Sequence, residues 1–360
     1  MPNEQPRVVK GMPSVELGRE EFERRFRQRH VDPLFDEADA ELDAVLDAAW
    51  RAYSEYRKAP RTRKAGPGFA DPSYDLSLDW LAARDAINVA AERHEDASLP
   101  NRVLLINGSP RTDQSCPGEI SKSYRLAKQA QTAIEDEGSD VDFLDLSRLV
   151  SEYGRVIYPC KACVSTAMPL CHWPCSCYPN HALGQTQDWM NEIYPRWVAA
   201  HGVLIVTPVN WYHVPSVLKL MIDRLVCADG GNPDPTSTHG KKAAEAKAIE
   251  LAGWDYPKHL AGRAFAVVVH GDVAGIGEVK NALCNWLEWM GLIRAGGSGA
   301  VDRYIGYYEP YATSHDAFDR DEAVQAETRN AALALVERVH QIRSGRDVPP
   351  DAALTPPRKK

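Results

Sequence analysis

The sequence predicts an α/β fold: a doubly wound parallel sheet of five strands, preceded by a helical N-terminal extension. Short uninterrupted apolar runs recur between residues 101 and 305, each followed by a polar loop and then a helical pattern. Such runs suit strands buried on both faces, and strands that alternate with helices build parallel sheets covered on both sides. Residues 1–98 show no run of this kind and read as amphipathic helices separated by loop.

Within the extension (1–98), Val15 to Arg29 is highly charged. Between Pro33 and Tyr56, Leu42, Val45, Leu46, Trp50 and Tyr53 recur at three- and four-residue steps, one face of a helix. Pro60, Gly66, Pro67, Gly68 and Pro72 then punctuate a loop whose basic start, Arg57–Lys64, reads as solvated. A second helix is expected from about Leu76 to His94. The main domain (99–345) opens with the strand Val103–Ile106, a helix over about Glu119–Glu137 and the strand Val141–Leu144. A cysteine-rich loop (158–181) precedes the third strand, Val203–Val206, and a helix over about Pro215–Cys227. After an insert (229–258) come the strand Phe265–Val269, a helix over about Ile276–Met290, the strand Val301–Ile305 and a closing helix over Asp321–Arg343. Residues 346–360, with four prolines and a basic end, read as a mobile tail.

Lys and Arg number 42 against 50 Asp and Glu, a net charge of −8, which is the wrong sign for non-specific nucleic-acid binding. No apolar run approaches the ~20 residues that span a bilayer, and the opening residues lack the apolar core of a secretory signal. The expectation is a cytoplasmic protein with neither nucleic-acid nor membrane partners. A reducing compartment disfavours structural disulfides. The clustering of five of the eight cysteines between Cys160 and Cys177 therefore points to metal or redox chemistry. Cys227 and Cys284 fall in helical patterns and read as core residues.

In an open parallel sheet, ligands bind beyond the carboxyl ends of the strands, where the winding reverses. Three loops qualify. The first, Gly108-Ser109-Pro110-Arg111, continues through Ser115, Gly118, Ser121, Lys122 and Ser123. Hydroxyls and backbone N–H groups at a helix start can cradle a phosphate. The loop is neither a G-x-G-x-x-G fingerprint nor a Walker loop, and one Arg among hydroxyls suits a phosphomonoester such as that of FMN. The second, Thr207-Pro208-Val209-Asn210-Trp211-Tyr212-His213-Val214-Pro215, is stiffened by prolines and tipped by aromatics. It offers amides and a wall to a flat ring. The third, His270-Gly271-Asp272-Val273, lets backbone approach a ligand at Gly271. Tyr212, His213 and His270 are the candidates for proton delivery.

Together these motifs resemble the flavodoxin-like NAD(P)H-dependent FMN reductase family, above all in Gly-Ser-Pro-Arg at 108–111, Thr-Pro-Val-Asn-Trp-Tyr at 207–212 and Val-Pro-Ser-Val-Leu-Lys-Leu-Met-Ile-Asp-Arg at 214–224. The resemblance implies a strand order of 2-1-3-4-5, with the FMN phosphate at Ser109, Arg111, Ser115, Ser121 and Ser123. It implies Pro208, Val209, Asn210, Trp211 and Tyr212 at the ring, and Gly271 and Asp272 at its far edge. It also implies NAD(P)H as co-substrate, a small-molecule electron acceptor (a quinone, flavin, nitro or azo compound, or metal ion) and a homodimer or homotetramer.

The cysteines are spaced Cys160-x2-Cys163-x7-Cys171-x3-Cys175-x1-Cys177. The loop resembles that of iron–sulfur flavoproteins, although Thr166 stands where a C-x2-C-x2-C motif has its third cysteine. Four thiolates suit a [4Fe-4S] cluster. Four, or three with His172, suit zinc, and a C-x-x-C pair suits thiol–disulfide chemistry. The alternative to a reductase is an iron–sulfur electron-transfer module that does not use nicotinamide.

Overall fold

The computed structural model describes residues 6–346, so all but the first residue of the expected tail lies outside the described residues. In chain order the first elements are α1 (Arg19–Arg27), α2 (Asp39–Ser54), β1 (Thr62–Lys64), β2 (Asp75–Ser77) and α3 (Leu78–Glu95). Next come β3 (Arg102–Asn107), α4 (Lys122–Asp136), β4 (Asp140–Asp145), α5 (Arg148–Ser151), α6 (Met190–Ala199), β5 (Gly202–Pro208), α7 (Ser216–Arg224) and α8 (Ala243–Leu251). The chain closes with β6 (Ala264–Gly271), α9 (Ile276–Trp289), β7 (Ile293–Arg294), β8 (Ala300–Tyr304), α10 (Ser314–Arg320) and α11 (Glu322–Arg343). These form two compact units. One gathers the chain up to Asp85 with Tyr158–Asn191 and Gly230–Pro257; the other gathers Ala86–Ile157, Glu192–Asp229 and the chain from Lys258. No helix among the described residues is long and apolar enough to cross a membrane.

The second unit holds the sheet, in the order β4-β3-β5-β6-β7, with β8 also pairing β6. Every pair is parallel. The winding reverses between β3 and β5, so the loops leaving Asn107 and Pro208 emerge side by side at the switch point. Val103–Ile106, Val203–Val206 and Ala264–Val269 are fully buried, which is why each reads as an unbroken apolar run. On one face Val103, Leu105, Leu204, Val206, Ala266 and Val268 pack with Leu126 and Ala130 of α4 and Leu335 and Val336 of α11. Alternate residues point to the opposite face. Truncating one of these, such as Leu105→Ala, costs about 2–5 kcal/mol.

The fifth strand position is shared, which adds a sixth strand to the five expected. β7 pairs only with Ala264 and Phe265, and β8 pairs with Val267–Gly271 after a break at Gly296–Gly299. A two-residue strand has no period to read. The helix α6 was not expected either. Pro195 lies inside it and reads as a breaker, yet Met190, Ile193, Tyr194 and Trp197 are buried along it.

In the first unit, the stretch read as plain loop around Arg57–Lys64 instead supplies β1, which pairs antiparallel with β2. Leu76, Trp80 and Leu81 pack with Phe69 and Tyr74, and Trp80 Nε1 donates to the Pro174 carbonyl at 2.8 Å. The Ala70 amide donates to Asp234 and the Asp71 amide to Thr236. These bonds tie the N-terminal segment, the cysteine loop and the insert into one unit.

Candidate functional site

At the switch point the second unit opens a cavity of about 240 Å³. From the first loop it takes Ser109, Pro110, Arg111, Ser121, Lys122 and Ser123, from the second Pro208, Val209 and Asn210, and from the third His270, Gly271 and Asp272, with His315 of α10. The three loops expected to converge therefore do so. Two glycines make the closeness possible. A Cβ on Gly108 would stand 2.7 Å from Thr207 Oγ1, and one on Gly271 would stand 2.9 Å from Ile276 Cγ2.

The first loop is shaped by its own hydroxyls. Ser109 Oγ accepts from the Arg111 amide at 3.2 Å, and Ser121 caps α4 by accepting from the Tyr124 amide at 3.0 Å. That capping starts α4 at Lys122, three residues later than the sequence pattern suggests. The remaining amides of its first turn form the positive end of the helix dipole. Arg111 pairs with Glu119 at 2.9 Å, and Glu119 also meets His315 at 3.2 Å. Lys122 is half-buried and has no ion-pair partner among the described residues. Burial lowers its pKa, against the opposing pull of Asp272 and Glu119.

His270 is 4 % exposed. Burial, reinforced by the Lys122 charge, pushes its pKa down to about 3, so the imidazole is neutral at neutral pH. Its Nε2 lies 2.7 Å from Ser123 Oγ, while its buried Nδ1 has no hydrogen-bond partner. A neutral ring in this setting can accept or donate one hydrogen bond but does not carry a stored proton.

Other expected residues lie elsewhere. Ser115 is outside the cavity lining, its hydroxyl directed at the Thr112 carbonyl. Asn210 and His213 exchange backbone hydrogen bonds of 2.9 and 3.0 Å across Trp211 and Tyr212, both of which have positive φ (50° and 64°). This is a primed turn built without glycine, costing about 1–2 kcal/mol per residue. It thrusts Trp211 out, 95 % exposed. Tyr212 and His213 line a separate, mostly apolar trough of about 720 Å³ with Ile222, Val279, Leu283 and Trp286. The sequence alone does not single out Lys122 or His315 as a binding residue. A lysine in a first helical turn reads as solvated, and His315 sits more than 190 residues beyond the loop it joins.

The cysteine loop belongs to the first unit. Among the described residues no group of three or more His, Cys, Asp or Glu side chains could hold a metal ion. Cys116, Cys160, Cys163, Cys177, Cys227 and Cys284 carry free thiols, with Cys227 and Cys284 buried as expected. Cys163 Sγ lies 3.6 Å from Cys177 Sγ. The Lys241 ammonium reaches both sulfurs, at 3.5 and 3.4 Å, and donates to the Leu170 carbonyl at 2.8 Å. The Lys241 ammonium occupies the space beside Cys163 and Cys177, and the sulfurs as arranged gather no ligand set for zinc or an iron–sulfur cluster. The C-x2-C spacing pairs Cys160 with Cys163 in sequence, but Cys163 turns instead to Cys177. Cys160 accepts from the Ala162 amide, and burial raises its pKa.

The family model for NADPH-dependent FMN reductase matches residues 101–304, more than half of the chain. A curated relative, the iron–sulfur flavoprotein of Methanosarcina thermophila, is 30% identical over 125 residues, covering 35% of this chain and 52% of that protein. The chain thus spans about half the length of the curated relative it matches. Among solved structures, RosB with a bound formylriboflavin phosphate intermediate is 12% identical at a TM-score of 0.46, covering 69% of this chain and 82% of RosB. The NADH:FMN oxidoreductase EmoB, in its apo form, is 14% identical at a TM-score of 0.36, covering 70% and 93%.

Proposed function

Because the chain belongs to the NADPH-dependent FMN reductase family, we propose that it is an FMN-dependent oxidoreductase that takes a hydride from NADPH or NADH and passes electrons to a small-molecule acceptor. One observation supports this placement of the cofactor: half-buried Lys122, in no ion pair among the described residues although Asp272 and Glu119 pull on its charge, lines a hydroxyl-rich cavity at the N-terminus of a 15-residue helix at the switch point. A desolvated, unpaired cation beside helix amides is an anion site.

The residues present fit FMN. Lys122, Arg111, Ser109 and Ser121 would hold the phosphate, and His270, which lines the same cavity, carries a buried Nδ1 with no hydrogen-bond partner. When bound, FMN supplies the redox chemistry, hydride acceptance and electron donation, which no side chain here can supply. Ser123 orients His270 through Nε2, and burial keeps that ring neutral. Pro208, Val209, Asn210 and Gly271 would form the wall beside the ring. The outward Trp211 and Tyr212 present aromatic surface to a planar second substrate, such as a quinone, flavin, nitro or azo compound.

The rival reading, an electron-transfer module with an iron–sulfur cluster, draws on the cysteine spacing and on the name of the Methanosarcina relative, and the lack of a ligand group of three or more among the described residues weighs against it. Anaerobic mixing tests the reductase reading. Rapid bleaching of the flavin's visible band by NADPH or NADH is expected, and failure of both to bleach it overturns nicotinamide use.

A further inference from the structure

We propose that Cys163 and Cys177 form a redox-active dithiol, positioned by Lys241, that exchanges with small anionic disulfides. The site lies in the first unit and does not depend on the flavin reading. The two sulfurs already stand 3.6 Å apart, against about 2.05 Å in a disulfide bond. The two sulfurs differ in access: Cys177 is 6 % exposed and Cys163 is half-buried. Cys163 is therefore the attacking sulfur and Cys177 the resolving one.

Lys241 supplies the charge that a thiolate needs. It is solvent-exposed along part of its length, with its ammonium turned onto the sulfurs. Burial works against that ammonium, but Cys177, Cys163, Cys175 and Cys171 together outweigh it and raise its pKa. A hydrogen bond from Cys177, helped by Lys241 and opposed by burial, brings the Cys163 thiol down to about 6. Lys241 also lines a cavity of about 160 Å³ with Lys58, Tyr74, Asp75, His172 and Ser176, where Asp75 is paired with Lys64 at 2.8 Å. His172 is held uncharged by burial, with Lys241 and Lys58 adding to the effect. Two ammonium groups and a neutral imidazole outnumber the one carboxylate, Asp75, whose charge Lys64 already answers, and this excess favours an anionic ligand, hence a carboxylate-bearing disulfide.

The exchange balances without a further oxidant. The Cys163 thiolate attacks one sulfur of the substrate and breaks its S–S bond. The departing thiolate takes up the proton that Cys163 had released, and the other half remains on Cys163 as a mixed disulfide. Cys177 then attacks Cys163 Sγ, the internal S–S bond forms, and the Cys177 proton leaves with the second substrate thiolate. Two protein thiols become one disulfide, and one substrate disulfide becomes two thiols.

Oxidised glutathione is the probe, added anaerobically to the full chain, followed by alkylation, peptide mass mapping and glutathione assay. The expected result is two glutathiones released per chain and a Cys163–Cys177 crosslink. Cys177→Ser should stall as a mixed disulfide on Cys163 with one glutathione released, and Cys163→Ser should release none. Lys241→Gln should slow release by about threefold to tenfold, with Lys241→Arg restoring it. The proposal is overturned by crosslinks through other cysteines, by no release from the wild type, or by stoichiometric iron or zinc that Cys163→Ser abolishes.

Discussion

Lys122→Met separates a binding role from a structural one. The substitution keeps the length of the side chain and removes its charge. In the flavin-free protein that charge is held in a partly desolvated position, which already lowers its pKa. Removing it should leave stability unchanged or raise it by up to about 1 kcal/mol, roughly 2–4 °C in Tm for a domain of this size. Against a bound phosphate the same ammonium makes a charge-assisted hydrogen bond worth about 1.5–3 kcal/mol. At 1.4 kcal/mol per decade, FMN affinity should fall roughly 10- to 150-fold. Riboflavin has the ring without the phosphate, so its Kd should move less than about threefold, since no charge-assisted contact is lost. Quenching of flavin fluorescence gives both constants, and a thermal melt gives the stability. If FMN and riboflavin weakened equally, or FMN not at all, the phosphate would not be at Lys122 and the anion-site reasoning would fail.

Arg111 is more exposed and already shared with Glu119, so Arg111→Gln should weaken FMN only about threefold to tenfold, with the deficit shrinking in high salt; a larger loss than for Lys122→Met would reverse the ranking. His270 has a folded-state pKa near 3, below the usual imidazole value. The unfolded chain therefore takes up the proton first, and the stabilisation from the neutral ring is complete above about pH 6.5 and is lost as pH falls toward 3. His270→Gln should flatten the decline in Tm across that window relative to wild type, and identical slopes would contradict the buried neutral ring. Gly271→Ala places a Cβ 2.9 Å from Ile276 Cγ2 and should cost about 1–3 kcal/mol by overpacking; an unchanged melting curve would show that the backbone there has room.

The elements legible in the sequence were those whose burial leaves a local trace. β3, β5 and β6 are covered on both faces, so Val103–Ile106, Val203–Val206 and Phe265–Val269 stand out as continuous apolar runs, and the loops that follow them form the cavity. What escaped depends on distant partners or on local rules that tertiary packing overrides. Pro195 argues against a helix, but α6 buries Tyr194 and Trp197 completely. β1 forms within a basic, proline-flanked stretch because β2 pairs with it. Trp211 and Tyr212 carry positive φ that no propensity would assign to them. The cysteine spacing was visible, yet which sulfur meets which depends on loop closure and on Lys241, 64 residues beyond Cys177. Lys122 was visible as a residue, but its lack of a partner is a property only of the folded chain.

The account rests most heavily on FMN occupying the cavity walled by Ser109, Lys122, Asn210 and Gly271. Equilibrium dialysis of purified protein against FMN tests this directly. The account predicts one FMN per chain, displaced by excess FMN analogues that keep the phosphate and abolished when Lys122→Met is combined with Ser109→Ala. A protein that stays colourless after saturation with FMN, or one whose bound flavin is indifferent to that double substitution, would contradict it.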